Sequence, residues 1–189
     1  MADYSKGSGL HTYTVQEAVN AHRGKVIRVT PTLDIGSPTA FGTADVLLNN
    51  VKIPNAVAYN GGTSRLISIS MTNKDAEAVE QDVLFHEVNT YDLGTVNSAV
   101  DISDANFSKM KLLGYKRLQA ADFVSTGSTS DSAQMYFTYS ETQPDPGGNG
   151  YMLLQAQSDT RDVFFSVILR DTPTFVTTTD LTYIFHIEY

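Results

Sequence analysis

The sequence predicts an all-β, single-domain protein: an antiparallel β-sandwich of jelly-roll-like character with one short helix and a flexible N-terminal arm. Three observations lead there. Short runs alternate apolar and polar residues with a period of two, as a half-buried strand requires. Clusters of Gly, Pro, Asn and Asp separate these runs at roughly eight- to twelve-residue intervals, the spacing of sandwiches and jelly rolls. One segment alone, 104–113, carries the start and stop signals of a helix.

Residues 1–11 are small and polar and read, with a lead-in to residue 24, as an arm; residues 25–189 form the expected sandwich domain. Thr12 to Val19 suits a strand or a short helix equally. Val26-Ile27-Arg28-Val29-Thr30 is a strand ended by Pro31, which has no N–H for a ladder. Two further strands are expected at 44–48 and 51–59, the second held to an edge or a bulge by Pro54. Asn60-Gly61-Gly62 is a turn.

The chain is organised around residues 65–89. Ile67, Ile69 and Met71 fall on one face, and Ser68, Ser70 and Thr72 on the other. Val83-Leu84-Phe85-His86-Glu87-Val88 is nearly continuously apolar, as in a strand covered on both faces. The two runs are expected to pair at a sheet centre.

In the helix, Ser103 suits the N-cap, Ile102 and Phe107 a hydrophobic staple, Asp104 the positive end and Gly114 the stop. Phe107 and Met110 would face the core. Strand character resumes at 115–123. It continues in Met135, Phe137 and Tyr139, and again at 151–157, the last two runs forming a hairpin around the breaker-rich 144–150. Val163 to Leu169 reads as a buried central strand, Asp171-Thr172-Pro173 as a turn, and Leu181 to Tyr189 as the last strand.

The 13 Lys and Arg residues against 21 Asp and Glu give a net charge of −8, which leaves no general grip on phosphate backbones. Direct nucleic-acid binding is not expected. The absence of cysteine removes disulfides, thiol catalysis and thiolate metal sites. The first residues lack the basic and apolar regions of a secretory signal, and no apolar run has the length to cross a bilayer, so no membrane partner is expected.

His86-Glu87 invites a metal or acid–base reading, but neighbouring strand residues diverge to opposite faces. His11, His22 and His186 lack the spacing that brings two imidazoles to one metal. Asp92, Asn97, Asp101 and Asp104 form an acidic cluster without the spacing of a calcium loop, and capping accounts for Asp104. Asp159, Asp162 and Asp171 are turn residues. The glycine-rich stretches lack the ending of a phosphate loop, and no nucleophile elbow occurs. Tyr136, Tyr139 and Tyr151 suit a sugar-binding or subunit-contact surface, or cross-strand pairs. No catalytic, cofactor or metal residue is assigned, and the expected protein is not an enzyme.

The segments Val26-Ile27-Arg28-Val29-Thr30-Pro31-Thr32-Leu33-Asp34, Ile53-Pro54-Asn55-Ala56, Gly61-Gly62-Thr63-Ser64-Arg65-Leu66, Val83-Leu84-Phe85-His86 and Arg170-Asp171-Thr172-Pro173-Thr174, the last leading to Asp180-Leu181-Thr182, carry a family resemblance. Together they resemble small structural proteins of tailed bacteriophages, among them capsid decoration or cement proteins. The resemblance implies a virion protein, made in the host cytoplasm and placed on the capsid surface. It binds major capsid protein subunits and associates with itself, with a homotrimer at capsid three-fold positions as the expected form. A tail, fibre or glycan-binding sandwich module is the competing expectation, and an enzyme acting on host polysaccharide the third.

Overall fold

A computed structural model describes residues 24–36, 39–74, 78–125, 133–136 and 151–189. The expected arm, the 12–19 segment, Phe137, Tyr139 and the 144–150 tip lie outside these residues.

Two antiparallel sheets enclose one core. The larger has six strands: β1 (Gly24–Val29), β4 (Thr63–Asn73), β7 (Phe123–Ser125), β8 (Ala133–Tyr136), β9 (Met152–Gln155) and β12 (Leu181–Glu188). Its order is β1-β12-β4-β8-β7, with β9 also paired to β4. The smaller contains β3 (Val46–Ile53), β5 (Gln81–His86), β6 (Leu112–Leu118) and β10 (Val163–Leu169), in the order β3-β10-β5-β6. A two-residue pairing of β2 (Thr39–Ala40) with β11 (Thr174–Phe175) closes one end. This is the all-β antiparallel architecture that the alternating runs predict.

The core is aromatic where the sheets face each other. Phe165 of β10 packs against Tyr183 and Phe185 of β12 at ring distances of 5.1 and 5.2 Å, and Phe85 of β5 meets Phe185 edge-on at 5.9 Å. Such offset arrangements satisfy the ring quadrupoles while burying large apolar areas. All seven residues of β10 are buried, and β12 alternates strictly between buried and half-buried positions, as their two sequence patterns require.

Other expectations are corrected. The runs around Ile69 and Phe85 are not paired; β4 and β5 belong to opposite sheets and meet across the core, where the Gln81 side chain touches Met71. The seven-residue connection 74–80 is long enough to span the roughly 10 Å between packed sheets. Ile67 is not a core residue. The register passes from His186↔Ser68 to Ile187↔Leu66, so Ile67 is the extra residue of a β-bulge and stands 39% exposed. The bulge reverses the facing of β4: Ser64 and Leu66 point inward before it, Ile69 and Met71 after it.

The strands expected at 44–48 and 51–59 are one strand, β3, whose ladder with β10 slips at a bulge where Asn50 adopts φ of 51°. It ends at Ile53, before Pro54, and lies at the sheet edge. The runs at 133–136 and 152–155 do not form a hairpin with each other. Both lie antiparallel to β4, β8 beside residues 70–73 and β9 beside residues 63–66.

Helix α1 (Asp104–Lys109) is shorter than expected. Ser103 Oγ accepts the Asn106 N–H at 3.3 Å, as its capping role requires. The chain leaves the helix through Lys111, at φ of 54°, rather than at Gly114. Met110 is buried, whereas Phe107 is 36% exposed and does not face the core.

Candidate functional site

Residues 87–111, including α1, cover the outer face of the four-stranded sheet. Leu84 of β5, Ile168 of β10 and Val46 of β3 point out of the sandwich and pack against Leu93 and Met110 of this cap, with Tyr91 and Ile102 alongside. Backbone bonds stitch the cap to β3, from Asn97 N–H to Val46 C=O at 2.9 Å and from Val46 N–H to Ser98 C=O at 2.9 Å.

A polar cleft of about 590 Å³ opens where the cap meets β3. Asn49 contributes from the strand and Asp34 from the segment after β1. The cap supplies Asp92, Gly94, Thr95, Val96 and Asp101, then Ile102, Ser103 and Asn106 around the start of α1. Asn49 fixes one wall by both ends of its amide: Oδ1 accepts the Leu93 N–H at 2.9 Å, and Nδ2 donates to the Gly94 carbonyl at 2.8 Å. Asp92 Oδ1 accepts from Asn50 Nδ2 at 2.5 Å. Gly94 stands at φ of 155°, and a Cβ there would lie 2.7 Å from Asp101 Oδ1. The wall therefore needs glycine for both backbone freedom and space.

The cleft gathers Asp92 and Asp101 of the sequence cluster and adds Asp34, which the sequence reading missed because it lies far away in the chain. Asp104 occupies the first turn of α1, and Asn97, at φ of 60°, serves the stitch to β3. Among the described residues no three His, Asp or Glu side chains come together to hold a metal ion. The cleft offers carboxylate and amide acceptors to hydroxyl-bearing or cationic groups.

His86 is the last residue of β5, and Glu87 already belongs to the cap rather than to the strand. Glu87 Oε2 accepts from Lys111 Nζ at 3.0 Å. His86 is fully buried beneath the cap, with Nδ1 2.9 Å from the Val88 carbonyl and Nε2 3.0 Å from Ser166 Oγ. Burial pushes its pKa below the ordinary value, the Val88 carbonyl opposing in part. A Ser–His pair thus exists, but the serine is itself fully buried, which removes it from any substrate.

At the other end of this face Asp82, 3% exposed, holds two arginines. Arg117 Nε and Nη2 reach its two oxygens at 2.7 and 3.0 Å, and Arg170 Nε reaches Oδ2 at 2.7 Å. Burial alone would raise the Asp82 carboxyl; the Arg117 and Arg170 hydrogen bonds and charges outweigh it and hold its pKa below the usual range. Between the sheets, Tyr183 donates to Gln81 Oε1 at 2.6 Å. These pairings join strands distant in sequence, and a lone Asp or Ser in an apolar run was their only trace.

His186 lies half-buried in β12, opposite Val26 and Ser68. His11 and His22 lie outside the described residues, as do Tyr139 and the side chain of Tyr136. The Tyr151 ring carries the Arg65 guanidinium at 4.6 Å. Asp162 accepts the Asn55 N–H at 2.8 Å and meets Lys52 at 3.2 Å, while Asp171 accepts the next N–H, that of Thr172, as a turn residue does. No protein-family model and no curated protein matches the chain.

Proposed function

We propose that this protein is a non-enzymatic virion structural protein that decorates and stabilises the capsid of a tailed bacteriophage by binding major capsid protein subunits. The observation that carries the reading is where the resembling segments lie. Val26 to Asp34 form β1 and its exit, Gly61 to Leu66 the turn into β4, Val83 to His86 the buried part of β5, and Arg170 to Thr174 the corner between β10 and β11. All belong to the framework rather than to the cleft wall, except Asp34. Among the polar side chains lining the cleft, Asn49 and Ser103 hold the backbone of the cap and Asp92 holds the neighbouring Asn50.

A sandwich with a continuous apolar core suits a protein that resists stress as a clamp, and self-association into a trimer would extend its contact area. The test compares capsids lacking the protein with the same capsids after its addition. Better survival of heat or low salt on addition supports the proposal; identical survival contradicts it.

A second reading, a phage tail, fibre or glycan-binding module, rests on the cleft itself, whose Asp and Asn acceptors suit sugar hydroxyls. Glycan-array binding lost in Asp92→Ala and Asp101→Ala would favour it over the capsid role.

A further inference from the structure

The line of hydrogen bonds through His86 runs in one direction. The Val88 carbonyl only accepts, so Nδ1 carries the proton and Nε2 must accept from the Ser166 hydroxyl. Ser166 Oγ in turn accepts the Asn50 N–H at 3.0 Å. Asn50 N–H, Ser166 O–H and His86 Nδ1–H therefore form one chain of donors ending on the first turn of the cap. A second imidazole proton, on Nε2, would end the donation from Ser166 and force its hydroxyl to turn away and accept instead, and it would bury a positive charge. The elements packed around the ring offer that charge no free anion. Glu87 is paired with Lys111 at 3.0 Å, and Asp92 accepts from the Asn50 side chain. β10 presents Phe164, stacked on the ring at 6.3 Å, and Ser166, while β6 places Leu112 opposite.

The cap also stands on an apolar cluster of five buried residues distinct from the 26 of the main core, which it touches through the half-buried Val96. It can lift without opening the sandwich, as local unfolding units do. We propose that His86 is an acid-sensitive latch: taking up a proton in mildly acidic solution, it releases the cap from the four-stranded sheet and reshapes the cleft that the cap carries. This inference rests on the geometry beneath the cap and holds whether or not the capsid reading does.

The sign follows from linkage. The lifted cap exposes an ordinary histidine, which takes up its proton near pH 6.5, whereas the closed site resists it. Above that pH both states are neutral and the latch is indifferent; below it the lifted state is favoured by up to about tenfold per pH unit.

Hydrogen exchange by mass spectrometry on the whole chain, corrected for intrinsic rates, reads this directly. Between pH 7.5 and 5.5 the opening of residues 88–111 should rise about tenfold while β12 stays protected. A cap that does not respond, or one that loosens only together with β12, overturns the proposal. In His86→Gln the pH response of the cap should vanish; its persistence overturns the latch. Should that variant fail to fold, imidazole nitrogen shifts of the unaltered protein decide. A neutral Nδ1–H tautomer at pH 7.5 is required, and an Nε2–H or charged ring overturns it.

Discussion

Asp82 shows how a single buried charge is made tolerable. Its two arginines are 44% and 34% exposed in their side chains, so their attraction is partly screened, and the cost of removing the carboxylate falls below that of a wholly buried pair. Asp82→Asn should destabilise the fold by about 2 kcal/mol in urea unfolding at neutral pH. Because the folded carboxyl is depressed, its stabilisation is present above the unfolded pKa near 4 and lost as pH falls through the lower folded value. Acid unfolding of Asp82→Asn should therefore be less steep in that window, and an unchanged slope would contradict the pairing. Ser166→Ala leaves the Asn50 N–H and His86 Nε2 without their shared partner and should cost about 2–4 kcal/mol by the same measurement. These groups were hidden in the sequence because each takes its role from strands far away along the chain.

Bulges decide which residues of an element are core. With Ile67 displaced outward, Ile67→Ser should change stability by under about 0.5 kcal/mol, whereas Ile69→Ala, two residues on, should cost about 2–4 kcal/mol. Equal effects in thermal unfolding would contradict the register. Gly94→Ala forces a Cβ into Asp101 at an unfavourable φ and should loosen the cleft wall by about 1–3 kcal/mol, seen as faster exchange of Leu93 and Asp101 amides. Regular elements were legible: β10 from an apolar run interrupted only by Ser166, β12 from its alternation, α1 from Ser103 and Asp104. Irregular ones were not. Nothing in Ile67 distinguishes it from Ile69 before the ladder with β12 is known, and the gap at Asn49-Asn50 between two expected strands is a bulge within one. The cleft escaped the sequence for a similar reason, since Asp34 joins Asp92 and Asp101 only through the packing of the cap on β3.

At the scale of the molecule, an acidic, cysteine-free sandwich depends on packing between its sheets, and among the described residues a cap covers the outer face of one sheet and none covers that of the other. Val26, Arg28, Ile184 and His186 lie on the outward face of the six-stranded sheet, where no described element covers them. Under the proposed capsid role, that asymmetry would supply distinct surfaces for different contacts. Co-sedimentation of the purified protein with tailed-phage capsids that lack it tests the proposed capsid role most directly. Saturable binding at a fixed ratio to capsid subunits is expected; a protein that stays in the supernatant at every concentration would contradict the capsid role.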